Sequence, residues 1–246
     1  MTLEDGSVLV TGGTRGIGKA IALRLASEGA TRIALGYLRN DKAAEAAADE
    51  IRAAGAEPIL VRGNVASEKV VAEFASHGPY AAVVHNAATG VIKPALETED
   101  KHWDWTLNAN ARALLSLARA CAPDMPSGSS IVAVSSLGAQ RVLENYVLVG
   151  TSKAALESVV RYLAVELSPR GIPRQRRLGG CRRDRGAGSL PESRADAQRG
   201  KDTHSRRAAW SSPNDVAGAV AFLCSPDADM LRGHTLIMDG GYSLLA

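Results

Sequence analysis

The sequence predicts a single α/β domain built on a doubly wound parallel sheet, on three observations. Apolar strands alternate with amphipathic helices, short Gly-rich turns join them, and a glycine cluster follows the first strand. Alternation of this kind is the pattern of a parallel sheet whose helices cover both faces. A chain of 246 residues can bury one such core without a second domain. We therefore expect residues 1–246 to form one domain.

The N-terminal half supplies four strands and three helices. The stretch SVLVTGG is typical of a buried strand, and the helix after it, Arg15–Glu28, has apolar residues at the spacing of a packed helix face. The elements predicted next are a strand at Arg32–Tyr37, a helix at Lys42–Ala54, a strand at Pro58–Arg62, a short helix at Lys69–Ser76 and a strand at Ala81–His85.

The C-terminal half continues the alternation as far as residue 167. The predicted elements are a helix at Trp103–Ala120, the strand SIVAVSS, a helix at Asn145–Leu167, a helix at Pro213–Leu223 and a strand and turn in HTLIMDGG. Three residues at the start of the first of these helices are expected to pack and to take no part in chemistry: His102, Trp103 and Trp105.

The whole chain gives no sign of export or of a metal site. It has no run of 18 apolar residues, and Met1–Ser7 lacks a basic-then-apolar leader, so we expect a cytoplasmic protein. Its three cysteines are far apart in sequence, which predicts neither a disulfide framework nor metal-ligand spacing.

The glycine cluster predicts a dinucleotide site. In TGGTRGIG, Gly12, Gly16 and Gly18 follow a strand and open a helix. Glycines let the backbone approach a pyrophosphate closely, and the helix N-terminus offers unpaired N–H groups to it.

The end of the second strand indicates which dinucleotide binds. An NAD site places an acid there for the ribose 2′-hydroxyl, but this strand ends in GYLRN, with Arg39 and no carboxylate before Asp41. Arg15 lies in the glycine loop, and two guanidinium groups suit the 2′-phosphate of NADPH. Two solvated surface arginines are the alternative interpretation.

These residues resemble the classical short-chain dehydrogenase/reductase superfamily, over Ser7 to Gly171 and again from Pro213 onward. HNAAT resembles the family's N-N-A-G segment, with a departure at His85 that we place in a turn, and Asn108 and Ser136 fall where the family has an asparagine and a serine. The resemblance implies a Rossmann fold. It also implies that NADPH is bound by these residues: Gly12, Thr14, Arg15, Gly16, Ile17, Gly18, Arg39, Asn64, Val65, Asn86, Ala87, Ala88 and Lys153.

The spacing of tyrosine and lysine indicates the reaction. Ketoreductases of the superfamily use Tyr-x-x-x-Lys, but four residues before Lys153 stands Val149, which cannot donate a proton. Seven residues before it stands Tyr146, two helical turns away on the same face. Tyr-(x)6-Lys resembles enoyl-acyl-carrier-protein reductases, specifically the NADPH-dependent FabL type. The resemblance implies four catalytic residues: Tyr146, Lys153, Ser136 and Asn108.

The implied substrate is an enoyl thioester of fatty-acid synthesis, carried by acyl carrier protein or CoA. The resemblance further implies a homodimer or homotetramer, with no nucleic-acid or membrane partner. Two other functions stay open. One is a ketoreductase acting on 3-oxoacyl or polyketide thioesters, which Val149 opposes. The other is a non-enzymatic nucleotide-binding or nucleic-acid-binding protein that uses the basic segment described next.

Between Gly171 and Pro213 the resemblance disappears. Residues 174–207 hold eleven basic and four acidic residues, a net charge of +7, which leaves −4 for the rest of the chain. A buried strand is expected here, but IPRQRRLGG would bury three arginines, so we predict that it does not form this strand and that residues 173–211 fold poorly.

A shifted reading frame accounts for this segment. If each codon's last two bases join the first base of the next, PRQRRLGG can spell RVNAVSG, LPESR can spell FPNR, and HSRRAAWS can spell TPAGRLG. These strings resemble the family's missing strand and substrate loop. Our hypothesis is a paired frameshift, opened near Pro173 and compensated near Ser211.

Overall fold

The structure of the protein is a computed structural model that describes residues 3, 6–172, 174–179 and 211–244. Of residues 174–179 and 244 it describes the backbone alone. The remainder of the basic segment, including Cys181, lies outside the described residues. No helix in the described ranges is long and apolar enough to cross a lipid bilayer.

Seven parallel strands form one sheet in the order β3-β2-β1-β4-β5-β6-β7. The strands are β1 Ser7–Thr11, β2 Arg32–Tyr37, β3 Glu57–Arg62, β4 Ala82–His85, β5 Ser130–Val134, β6 Arg174–Gly179 and β7 Thr235–Ile237. The order reverses between β1 and β4, and in doubly wound sheets ligands bind at such a switch point, beyond the carboxyl ends of the strands.

Helices connect consecutive strands and cover both faces of the sheet. They are α1 Gly16–Ser27, α2 Asp41–Ala53, α3 Glu68–Ser76, α4 Asp100–Leu107, α5 Ala113–Cys121, α6 Val147–Glu166 and α7 Pro213–Cys224. A π-helical turn, Asn108–Arg112, joins α4 to α5. Short 3-10 turns lie at Ala95–Glu97, Leu137–Ala139, Ser168–Arg170, Pro226–Ala228 and Tyr242–Leu244.

Two apolar cores hold the layers together, one on each face of the sheet. One core joins β1 and β2 to α1, α2 and α7, and includes Ile21 and Val220. The other joins the opposite face to α3, α5 and α6, and includes Phe74, Leu114 and Leu156. All five of these side chains are almost fully buried. The predicted fold class, a doubly wound parallel α/β sheet, is therefore confirmed.

The prediction that residues 174–179 cannot form the missing strand is wrong. Arg174–Gly179 forms β6, which pairs in parallel with β5 from Ser130 to Val134 and with β7. That prediction rests only on the free-energy cost of burying arginine side chains. A strand is held by backbone hydrogen bonds, however, and this segment has no proline and lies between two strands that need a partner.

Candidate active site

The phosphate loop runs from the end of β1 into α1. Gly12 and Gly16 have φ angles of +63° and +53°, the left-handed region that glycine adopts without strain. A Cβ atom on Gly18 would collide with the carbonyl oxygen of Gly12 and with the side chain of Asn86. The loop therefore needs its three glycines, and it leaves the N-terminus of α1 open to an anion.

Asn86, just after β4, holds this loop from the other side. Its side-chain nitrogen donates to the carbonyl oxygens of Thr11 (3.2 Å) and Gly12 (3.1 Å). These bonds fix the spacing between the ends of β1 and β4, at the switch point of the sheet.

A cavity of about 410 Å³ opens above the ends of β1 to β4. Its volume lies within the range of small-molecule and cofactor sites. Of the thirteen residues predicted to bind the cofactor, eleven line it: Gly12, Thr14, Arg15, Ile17, Gly18, Arg39, Asn64, Val65, Asn86, Ala87 and Ala88. Gly16 and Lys153 do not line it. Gly16 shapes the backbone of the loop, and Lys153 lies on α6.

The cavity edge beyond β2 carries positive charge. Arg15 and Arg39 line it, together with Asn40. The first carboxylate after β2 in sequence, that of Asp41, does not line the cavity and instead pairs with Arg62 at 3.3 Å. Among the described residues, no acid lines this edge to accept a hydrogen bond from a ribose hydroxyl, and the two guanidinium groups suit a phosphate.

Trp105 is a residue of the cavity that sequence reasoning missed. It was expected to pack within the protein, but its side chain lines the cavity and is 47% exposed. Trp103, two residues earlier, is equally exposed (46%) but does not line the cavity. A helix turns about 100° per residue, so the two indoles point in different directions. The sequence alone does not indicate which of the two tryptophans lines the cavity.

Tyr146 is the N-cap residue of α6 and lies beside the end of β5. Its Oη atom is 3.3 Å from Ser136 Oγ, which also accepts a hydrogen bond from the backbone N–H of Gly138 (3.2 Å). A Cβ on Gly138 would lie 2.5 Å from Cε1 of the tyrosine ring, so this glycine makes room for the ring. The preceding residue, Asn145, has a φ of +58°, which asparagine tolerates better than most residues.

The two serines after β5 have different roles. Ser135 is buried and donates to Glu157 Oε1 at 2.8 Å, which ties the end of β5 to α6. Ser136 contacts the tyrosine hydroxyl. Of the pair SS, it is Ser136 whose side chain lies beside Tyr146.

Lys153 is almost fully buried on α6, two turns after Tyr146. Its Nζ atom donates to the carbonyl oxygen of Val134 at 2.7 Å, at the end of β5. The structure thus brings Tyr146, Ser136 and Lys153 together around one strand end.

Val149 occupies the position where a ketoreductase would have its tyrosine. It is 2% exposed, and a Cβ on Gly90 would collide with its Cγ2 atom. The space beside residue 149 is therefore filled by a valine packed against the loop after β4, and no hydroxyl enters the site from this position.

The structure corrects the choice of asparagine. Asn108 is half-buried, whereas Asn110 is fully buried and its side chain joins two parts of the site. Asn110 Oδ1 accepts from the N–H of Thr89 (2.8 Å), and Nδ2 donates to the Thr89 carbonyl (2.8 Å) and to Ser152 Oγ (2.9 Å). Both asparagines lie in the π turn Asn108–Arg112. The resemblance to the family selects the first of them, whereas the structure buries the second.

Comparison with known proteins identifies the family. A family model described as Enoyl-(Acyl carrier protein) reductase matches residues 12–243. A solved structure of a short-chain dehydrogenase from Burkholderia cenocepacia, in complex with NADP, superimposes with a TM-score of 0.88 and 32% identity over 98% of each chain. The chain belongs to the short-chain dehydrogenase/reductase family.

Two curated members of the short-chain dehydrogenase/reductase family match nearly the whole chain. The 1-cyclohexenylcarbonyl-CoA reductase of Streptomyces collinus is 33% identical, covering 97% of this chain and 87% of its own length. The hydroxynaphthalene reductase-like protein Arp2 of Metarhizium brunneum is 30% identical, covering 95% of this chain and 93% of its own length. The names of these relatives describe reductases of different substrates. The reaction of this chain therefore has to be inferred from its site.

Proposed function

We propose that this short-chain dehydrogenase/reductase is an NADPH-dependent reductase of trans-2-enoyl thioesters. One observation carries the proposal: the hydroxyl beside Ser136 belongs to Tyr146, at 3.3 Å, while position 149 is a buried valine. The proton or hydrogen-bond donor therefore enters the site from one turn earlier in α6 than a Tyr-x-x-x-Lys enzyme would place it.

The displaced donor suits the charge that develops in enoyl reduction. In ketone reduction the new oxyanion is bonded to the carbon that receives hydride. In enoyl reduction hydride goes to the β-carbon, and negative charge develops on the more distant thioester oxygen. Tyr146 stabilises that oxygen by donating a hydrogen bond, and Ser136 orients the phenol.

Lys153 supports the reaction from the end of β5, where Ser136 and Tyr146 also lie. Its ammonium group is held at the end of β5 by the Val134 carbonyl. In this position it adds positive charge on the side where negative charge develops, and it is placed to bind the ribose hydroxyls of the nicotinamide half.

The residues of the cavity fit NADPH, which supplies the hydride when bound. The phosphate loop would hold the pyrophosphate, and Arg15 and Arg39 would bind the 2′-phosphate. Replacing both arginines with alanine should weaken NADPH binding by at least about 10-fold and leave NADH binding nearly unchanged. Arg52→Ala, on the exposed face of α2, is the matched control. Equal losses for the two cofactors would mean that the arginines act structurally.

The acyl group is carried by acyl carrier protein or by CoA, in a reductive step of fatty-acid synthesis. Two descriptions support an enoyl thioester: the family model is that of enoyl-(acyl carrier protein) reductase, and the relative from Streptomyces collinus is a 1-cyclohexenylcarbonyl-CoA reductase. The second describes a substrate whose carbon–carbon double bond is conjugated to the thioester carbonyl.

The test is NADPH consumption with crotonyl thioester against acetoacetyl thioester, each as the CoA and the acyl-carrier-protein form. We expect turnover of the crotonyl substrate and little of the acetoacetyl substrate. Faster reduction of acetoacetyl thioester would assign the protein to the ketoreductases instead. Inactivity on both, with salt-sensitive retention on nucleic acid, would favour the binding function of the basic segment.

A further inference from the structure

His85 is a buried imidazole that the proposed chemistry does not use. The sequence predicts a strand that ends at His85 and also places this residue in a turn; in the structure it is the last residue of β4 and is fully buried. Its two ring nitrogens face different parts of the site. Nδ1 is 3.1 Å from Thr11 Oγ1, at the start of the phosphate loop, and Nε2 is 3.2 Å from the carbonyl oxygen of Asn110, in the π turn.

These partners determine the tautomer. A carbonyl oxygen only accepts hydrogen bonds, so Nε2 must carry the proton that reaches Asn110. Thr11 Oγ1 already accepts from the backbone N–H groups of Asn86 (3.1 Å) and Ala87 (3.0 Å), and its own hydrogen is left to donate to Nδ1. Every polar atom in this group is satisfied only when the imidazole is neutral and protonated on Nε2.

The environment of the ring keeps it neutral. Burial lowers the pKa of His85 to about 3, and the positive charge of Lys153 acts in the same direction. The bridge therefore stays in one protonation state at neutral pH.

From Asn110 the chain of hydrogen bonds continues to helix α6. Asn110 Nδ2 donates to Ser152 Oγ, which in turn donates to the carbonyl oxygen of Val149 (2.7 Å). Ser152 is the residue before Lys153. The network thus begins at Thr11, at the start of the phosphate loop, and passes through His85 at the end of β4 to Asn110 in the π turn. From there it reaches Ser152, in the turn of α6 that carries the catalytic lysine.

We propose that His85 is a positioning residue, which fixes the π turn against the phosphate loop and, through Asn110 and Ser152, sets the position of Lys153. The inference that this position affects turnover rests on the proposed function, whereas the tautomer and the ordering of α6 do not. His85 itself does not line the cofactor cavity, so it acts through its neighbours.

Two substitutions separate the bridge from simple core packing. His85→Gln keeps an amide N–H that can reach Asn110, and His85→Leu removes both polar contacts. Tyr80→Phe is the control, because Tyr80 is also buried, lies near the other end of β4 and loses only a hydrogen bond to the Phe74 carbonyl (2.6 Å). It is remote from the network described above.

We expect His85→Leu to lower kcat by about 10-fold or more with little change in KM for the enoyl substrate, because misplacement of a catalytic group slows the chemical step. His85→Gln should recover most of the loss, and Tyr80→Phe should keep wild-type kcat. A His85→Leu variant as fast as Tyr80→Phe would overturn the positioning role.

Two measurements are independent of the reaction. Nitrogen NMR of labelled histidine should show His85 protonated on Nε2, and hydrogen exchange should show residues 150–153 less protected in His85→Leu than in Tyr80→Phe. A ring protonated on Nδ1, or equal protection in the two variants, would refute the bridge even if the enzyme acts on another substrate.

Discussion

The buried imidazole of His85 makes a quantitative prediction about stability and pH. His85→Gln replaces a titratable side chain with one that never gains a proton in water near neutral pH. The folded state holds the imidazole neutral, with a pKa of about 3, whereas the unfolded chain exposes a histidine with an ordinary pKa of about 6.5. Between these two values the unfolded state binds one more proton than the folded state.

The sign follows from this difference in proton binding. Stability rises with pH wherever the unfolded state binds more protons, so wild type loses stability as the pH falls from about 6.5 towards 3, relative to His85→Gln. The slope is about 1.4 kcal/mol per pH unit, so the relative loss at pH 5 is about 2 kcal/mol. A domain of this size shifts its Tm by roughly 2–4 °C per kcal/mol, which makes the effect readily measurable.

The assay is urea unfolding of both proteins near pH 7 and near pH 5. The quantity compared is the free energy of unfolding of wild type minus that of the variant, so other titrating groups cancel. This difference should fall by about 2 kcal/mol between pH 7 and pH 5, because only wild type loses stability through His85. A difference that stays constant with pH would show that His85 is protonated, or solvated, in the folded protein, and would refute the neutral bridge.

Three further predictions concern other residues. We infer that the Trp105 indole, which lines the cavity, stacks on the adenine of bound NADPH, so Trp105→Phe should lower NADPH affinity about 5-fold or more and abolish the fluorescence quench caused by 2′,5′-ADP. Trp103→Phe should change neither, and a quench that survives in Trp105→Phe would place the indole away from the adenosine half. Gly138→Ala should lower turnover with unchanged NADPH affinity, since the added methyl displaces the ring of Tyr146; wild-type turnover would show that the ring position is not limiting. Rewriting residues 173–211 in the shifted frame should raise both Tm and turnover, because apolar residues replace arginines across β6, and equal melts and rates for the two chains would remove the frameshift hypothesis.

The sequence predicts most of the sheet, because buried parallel strands and amphipathic helices carry strong periodic signals. The glycine loop could be placed as well, since a tight approach to a phosphate requires glycine and little else. The strand β6 could not, because its apolar pattern is absent and only its position between two strands forces it to pair.

Within the site, the failures occur where local geometry departs from regular spacing. The resemblance to the family selects Asn108, but the buried asparagine of the π turn is Asn110, and its contacts with Thr89 and Ser152 are set by tertiary structure. The bridge made by His85 is the second case, because its partners are Thr11 and Asn110, which are 74 and 25 residues away in sequence. Such contacts are set by tertiary structure alone.

The most direct test of the central claim is the rate of NADPH-dependent crotonyl-thioester reduction by Tyr146→Phe, measured beside its NADPH affinity. We expect a rate lower by about 10²-fold or more, the range for loss of a proton or oxyanion donor, with NADPH affinity nearly unchanged. Lys153→Ala should differ by weakening NADPH binding as well as turnover. A Tyr146→Phe variant that reduces crotonyl thioester at the wild-type rate would contradict the assignment of Tyr146 as the donor and, with it, the proposed reaction.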